Sequence, residues 1–195
     1  VEGGEQVARY SFLGRNPYQI MKYDGEQVSL QQDDSKTVLE RPYFDALKEL
    51  TTQHTEPKLP DLPRLTGGAV GFSSYDTVRE VEELGDVPKD DLNIPEAIWA
   101  FYDEVYAFDH VKQQVIIIKT VFVDDKNEKS AEALFKEAQQ SLDDMEDLVY
   151  QPERSTDSFS INPNNLTSNI AKPDFEQMVE KAKEYIYEGD IFQVV

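Results

Sequence analysis

Short runs of apolar and β-branched residues, separated by turn signals, fill the first part of the chain. Residues 7–14 and 18–23 are two such runs. A third, residues 27–31, follows Asp24-Gly25, a dipeptide typical of tight hairpins. We therefore predict three short strands here, followed by a loop at residues 33–35.

Helical spacing of apolar residues occurs in three segments. Residues 41–52 begin with a proline in the first turn and carry Phe44, Leu47 and Leu50 on one face. Residues 173–189 predict a helix that ends at Gly189, and a strand is expected over residues 191–195. Residues 127–149 predict the longest helix, whose apolar stripe fits core packing better than a cofactor site. That stripe consists of Ala131, Leu134, Phe135, Ala138, Leu142, Met145 and Leu148.

The most apolar part of the chain predicts an antiparallel hairpin in the middle of a sheet. Its arms are residues 97–108 and 115–123, and a polar break separates them. Asp103 and Glu104 interrupt the first arm and are interpreted as edge or water-facing positions.

The order of these elements predicts an α+β fold. Strands and helices do not alternate as βαβ units would, so we expect mainly antiparallel sheets with helices packed outside. We assign residues 1–150 to one domain, 151–172 to a polar linker, and 173–195 to the start of a second domain. The chain opens at Val1 without Met and stops in an apolar run, so we expect a fragment of a longer protein.

Charge and composition limit the classes of partner that the chain can bind. The chain has 195 residues and a formal net charge of −20, with 39 acidic residues against 19 basic ones. Such a field repels nucleic acid and anionic membranes. The absence of cysteine excludes disulfides and thiolate chemistry, and no apolar run is long enough to span a bilayer. A cytoplasmic protein is the expected class.

Three glycines within five residues mark the most unusual stretch. Gly67, Gly68 and Gly71 precede a β-capable run, which predicts a strand whose backbone another group approaches closely, or a core strand that carries a bulge. A phosphate-binding loop is the weaker alternative, because no Gly-Lys-Ser/Thr follows.

Catalytic chemistry is sparse in this sequence. His54 and His110 have no partner at metal-ligand or triad spacing and are expected to be exposed. Ser73 and Ser74 lack the Gly-x-Ser-x-Gly pattern of a nucleophile elbow. We predict no catalytic residue and no metal ligand in this chain.

Three segments, in order and at matching spacing, resemble the anthranilate synthase component I family. They are Gly67-Gly68-Ala69-Val70-Gly71-Phe72 with Tyr75-Asp76, then Phe175 to Val195 with its Gly189-Asp190-Ile191-Phe192-Gln193 core, and Arg9-Tyr10-Ser11-Phe12-Leu13-Gly14. Together they span nearly the whole chain.

The resemblance implies a two-sheet sandwich lyase that makes anthranilate and pyruvate from chorismate and ammonia, the first step of tryptophan biosynthesis. It implies Mg²⁺ in the full-length enzyme, ammonia delivered from glutamine by an amidotransferase subunit (component II), and feedback inhibition by L-tryptophan. The family's metal ligands and catalytic residues lie beyond the position of Val195, so we expect this chain alone to be inactive.

The resemblance also suggests one site within the chain. Arg9, Tyr10, Ser11 and Phe12 correspond to a strand that lines the family's inhibitor pocket, and an ordinary packed strand is the plainer interpretation. Two other functions stay open: aminodeoxychorismate synthase component I, and a non-catalytic acidic interaction domain.

Overall fold

The chain forms two compact units, Val1–Gln151 and Pro152–Val195. A computed structural model describes residues 8–87, 89–123, 129–151 and 167–194. Among these residues the fold is α+β with antiparallel sheets, as the sequence predicts. The elements are β1 (Tyr10–Gly14), β2 (Gln19–Tyr23), β3 (Val28–Gln32), β4 (Ser35–Leu39), α1 (Tyr43–Thr52), β5 (Gly68–Ser73), β6 (Ala97–Tyr102), β7 (Glu104–Asp109), β8 (Gln114–Lys119), α2 (Ala131–Val149) and α3 (Lys172–Glu188).

The first unit contains two sheets. The larger has the strand order β4-β3-β2-β6-β5, and the smaller has the order β1-β7-β8. The three predicted N-terminal strands are confirmed as β1, β2 and β3. The predicted hairpin turn is also present: Gly25 has φ +97°, and the Asp24 carboxylate accepts hydrogen bonds from the N–H groups of Glu26 and Gln27.

Strand β4 was not predicted. Residues 33–34 form a tight turn instead of an open loop, and Ser35–Leu39 returns along β3. Val38 is half exposed on this edge strand, so the segment lacks the alternating burial that marks a strand in sequence. Backbone pairing with β3 determines its structure.

The prediction of one long strand over residues 97–108 is wrong. The segment breaks at Asp103 into β6, in the larger sheet, and β7, in the smaller one. Only β7 forms the predicted hairpin with β8. Asp103 and Glu104 are not water-facing: both carboxylates accept hydrogen bonds from the Lys119 ammonium, at 2.7 and 3.1 Å.

Helix α1 covers one face of the larger sheet. Its first residue, Tyr43, is fully buried, stacks on Tyr23, and accepts a hydrogen bond from Trp99 Nε1 at 2.9 Å. Ala46 is buried beside it, whereas Phe44, expected on the inner face, is 43% exposed. Leu47 and Leu50 pack against the core as predicted, so only the first turn differs, where Tyr43 takes the inner position expected for Phe44.

The three glycines at the start of β5 have separate structural roles. A Cβ on Gly71 would overlap the carbonyl of Ile98, and one on Gly67 would lie 2.9 Å from Thr120 Oγ1. Gly68 has a φ of +113°, a backbone angle that residues with a side chain rarely adopt. The close approach predicted from the sequence is therefore confirmed, and the approaching backbone is that of β6.

Helix α2 packs on the smaller sheet through its predicted stripe. Met145 is buried, and its carbonyl accepts a hydrogen bond from the Tyr106 hydroxyl at 3.0 Å. Ser141 donates to Glu104 at 2.9 Å, which links α2 to the ion pairs of Lys119. Phe135, assigned to the stripe, is 65% exposed instead.

The second unit contains α3, which ends as predicted. Gly189 adopts φ +88°, and its N–H donates to the carbonyl of Ile186 at 3.2 Å. The strand predicted after it is wrong for residues 191–194, which form no ladder among the described residues. A strand needs a neighbouring strand to pair with, and local sequence does not supply one.

Candidate functional site

The candidate site is the strand β1, whose side chains alternate between the two faces of the smaller sheet. On one face, Tyr10 and Phe12 lie with their ring centroids 6.0 Å apart. Phe12 reaches a cavity of about 330 Å³ that lies between β1 of the smaller sheet and β5 of the larger sheet. The cavity is lined by Phe12, Gly14, Leu65, Gly67, Gly68, Val70, Tyr102 and Val105. Its wall is apolar, which suits a hydrophobic ring.

Arg9, just before β1, forms a bidentate ion pair with Asp109. Its Nε and Nη2 atoms donate to the two carboxylate oxygens at 3.0 and 2.6 Å, and Asp109 is 2% exposed. The hydrogen bonds from Arg9 lower the pKa of Asp109 well below its ordinary value; burial acts in the opposite direction, and the N–H groups of Lys112 and Val111 lower it further. The pair joins the beginning of β1 to the β7–β8 turn.

Ser11 lies on the other face of β1. Its hydroxyl oxygen is 2.7 Å from His110 Nε2, and both residues are exposed. A serine–histidine contact can support nucleophilic chemistry only with an orienting group and an oxyanion site. No carboxylate contacts the His110 ring among the hydrogen bonds of the described residues, so the contact is interpreted as structural.

The structure therefore separates the four residues that the sequence groups together. Phe12 lines the cavity, Tyr10 lies beside it beneath the Arg9 guanidinium at 4.9 Å, and Ser11 points to the opposite face. The assignment of this strand to tryptophan binding stays a prediction. Sequence reasoning missed Asp109 as the partner of Arg9. The two residues are 100 positions apart, so no local sequence pattern indicates that they pair.

The described residues do not form a metal site. Among them, no group of three or more His, Asp or Glu side chains is arranged to hold an ion. They therefore do not fit the Mg²⁺ that the resemblance implies. His54 and His110 are exposed, as predicted. In the described part of the chain, no helix has the length and hydropathy needed to cross a membrane.

Comparison with known proteins gives a consistent family. The model of the family described as chorismate binding enzyme matches residues 3–195. The chain is 37% identical, over 199 residues, to anthranilate synthase component 1 of Acetivibrio thermocellus, covering 100% of this chain and 40% of that protein. It is 34% identical to the probable anthranilate synthase component 1 of Schizosaccharomyces pombe, covering 100% of this chain and 37% of that protein.

A solved structure agrees in fold. The crystal structure of anthranilate synthase component I from Streptococcus pneumoniae TIGR4 superposes with a TM-score of 0.61 at 28% sequence identity. The match covers 98% of this chain and 41% of that one. The chain thus spans about 40% of the length of the relatives it matches.

Proposed function

The chain belongs to the chorismate-binding enzyme family, and we propose that it acts as the N-terminal portion of a cytoplasmic anthranilate synthase component I. The reaction is a lyase reaction in which chorismate and ammonia give anthranilate, pyruvate and water. The observation that carries the proposal is the family match over residues 3–195, together with the relatives that share it along the full length of this chain.

This portion would act as scaffold and sensor. The described residues hold no metal-ligand group and no catalytic constellation, so the ring chemistry and the Mg²⁺ are assigned to the remaining length that the relatives carry. Ammonia would come from glutamine through a component II amidotransferase. The absence of cysteine is in keeping with the reducing cytoplasm.

The activity is tested on the polypeptide encoded by the whole gene. With chorismate, Mg²⁺ and ammonium, or with glutamine and component II, we expect anthranilate, followed by its fluorescence. The 195-residue chain alone should give none. Formation of aminodeoxychorismate instead would assign the protein to the related synthase, and turnover by the 195-residue chain would contradict the scaffold role.

We further propose that L-tryptophan binds at β1, with Phe12 against the indole ring. The apolar cavity beside Phe12 supports this proposal. Replacing Phe12 by Ala should weaken tryptophan binding by about tenfold or more, measured by calorimetry, because the ring contact is lost. Phe72→Ala is the matched control, since Phe72 is similarly exposed, at 44% against 40% for Phe12, and lies outside the cavity lining. Equal losses in both variants would contradict the assignment.

A further inference from the structure

A second, larger cavity lies between the end of α1, the start of β5 and the segment that follows β8. It encloses about 660 Å³, and three stretches of chain supply its walls. They are residues 50–51 with 53–57, residues 67–69 and residues 120–123, together with Phe101 and Tyr102 of β6 and Tyr18, which precedes β2. None of these groups has a part in the proposed chemistry.

One wall of the larger cavity is aromatic. The Phe122 ring meets Tyr18 edge-on, with centroids 5.1 Å apart, and the His54 ring lies 4.6 Å from Phe122 on another side. Tyr18 also packs near Phe101, at 6.2 Å. Three rings from separate stretches of chain, Tyr18, His54 and Phe122, therefore line the cavity in front of the buried Phe101, and they favour an aromatic ligand.

The polar groups that line this cavity determine which ligand charge it favours. Glu56 contributes a carboxylate, and its position is fixed by a hydrogen bond from the Thr66 hydroxyl. Thr66 is 5% exposed, and its carbonyl accepts a hydrogen bond from Thr120 Oγ1 at 3.1 Å. A carboxylate held in this way beside an aromatic wall is a built partner for an ammonium group.

Basic groups are missing from the same wall. No lysine or arginine lies among the described residues that line the larger cavity. Burial, and then the charge of Asp103, raise the pKa of Tyr18, so its hydroxyl stays neutral. With a net charge of −20, the whole chain also attracts cations and repels anions. A ligand that carries only a carboxylate would find no counter-charge here.

Space for the ligand is provided at the glycines. A Cβ added to Gly68 would meet nothing within 4 Å, so open volume lies over its backbone. At Gly67, in contrast, the wall is close, since Thr120 Oγ1 is 2.9 Å from the position of an added Cβ. Gly67 and Gly68 therefore line the cavity with backbone alone, so neither position fills it with a side chain.

We propose that the larger cavity binds a small arylalkylamine, with its ring against Phe122, His54 and Tyr18 and its ammonium group on Glu56. This cavity differs from the one beside Phe12, although Gly67, Gly68 and Tyr102 line both. It selects against the carboxylate that chorismate and anthranilate carry. The proposal does not depend on the enzymatic activity.

Binding to the unmodified 195-residue chain is the first test. Tryptamine and indole-3-propionate have similar rings and lengths but opposite charges, and calorimetry gives both dissociation constants. We expect tryptamine to bind about tenfold or more tightly, the effect of one charge-assisted hydrogen bond. Equal affinity, tighter binding of the acid, or no binding of tryptamine would overturn the proposal. This comparison needs no variant.

Variants then locate the site. Glu56→Gln should weaken tryptamine about tenfold and leave the binding of neutral indole unchanged, while Phe122→Ala should weaken both. Glu132→Gln, at an exposed position in the first turn of α2, is the matched control for charge and should change neither. Tryptamine binding that survives Glu56→Gln unaltered would overturn the assignment. L-tryptophan binding that is lost with Phe12→Ala but kept with Glu56→Gln would show that the two cavities are distinct.

Discussion

At the scale of single residues, contacts between distant positions decide the structure. Arg9 and Asp109 are 100 residues apart, and Ser11 and His110 are 99 apart. Neither pair has a spacing that sequence reasoning could use, because the register of β1 on β7 brings them together. The glycines of β5 are different from these pairs. A glycine is itself a visible signal in the sequence, even though the sequence does not show which group packs against it.

Gly71→Ala should be strongly destabilising. The added methyl would overlap the Ile98 carbonyl, so β5 and β6 must move apart, and we expect a loss of about 2 kcal/mol or more in the free energy of unfolding. Urea denaturation measures this. Gly85→Ala is the control, since a Cβ there meets nothing within 4 Å, and it should stay within about 0.5 kcal/mol of the unmodified chain. A Gly71→Ala chain as stable as Gly85→Ala would show that the strands can separate freely.

The ion pair of Asp109 predicts a pH dependence. Because Arg9 lowers the pKa of Asp109 in the folded state, the stabilisation is complete above the unfolded pKa of about 3.9 and declines as the pH falls below it. Asp109→Asn should therefore lower the urea midpoint at pH 7 and at pH 5, and its difference from the unmodified chain should shrink at pH 3. Asp34→Asn, in an exposed turn, should show no such trend. A constant difference at all three pH values would contradict the ionic role.

At the scale of elements, local sequence signals predict the helices and their ends, but they do not predict which sheet a strand joins. The helices, the Asp24-Gly25 turn and the cap at Gly189 all follow from nearby residues, and the structure has each of them. Nothing in residues 97–108 indicates that the strand changes sheets at Asp103, since both halves are apolar and β-rich. The candidate strand β1 was found, but the division of its side chains between two faces required the pairing with β7.

The contact between the β7–β8 hairpin and α2 depends on Lys119. Burial alone would lower its pKa, but the hydrogen bonds to Asp103 and Glu104 outweigh burial and raise it. Lys119→Met leaves two partly buried carboxylates without their cation, so we expect a loss of about 1–3 kcal/mol in unfolding free energy. Lys112→Met, in the exposed turn, is the control and should have little effect. Similar unfolding curves for both variants would contradict this role.

At the scale of the whole molecule, charge and length matter most. The family match covers nearly every residue of the chain, yet the chain spans only about 40% of the length of its relatives. The sequence predicted the α+β class because the order of elements is itself a global property. It could not predict the cavities, which form where segments far apart in sequence converge.

The net charge of −20 predicts stabilisation by salt. Self-repulsion among 39 acidic side chains opposes the compact state, and added ions screen it. Raising sodium chloride from about 10 mM to about 200 mM, across which the screening length shortens to about the size of a side chain, should raise the melting temperature by about 2–5 °C in calorimetry. A falling melting temperature would mean that attractive surface pairs outweigh the repulsion.

Tyr102 lies in the wall of two cavities. Tyr102, Gly67 and Gly68 line both the cavity beside Phe12 and the larger one beside Phe122. Gly14 packs directly on this ring, since a Cβ there would lie 2.7 Å from its Cδ1 atom. If both cavities bind ligands as proposed, the two ligands share this wall. Any effect of one ligand on the affinity of the other must then be matched by the same factor in the reverse direction.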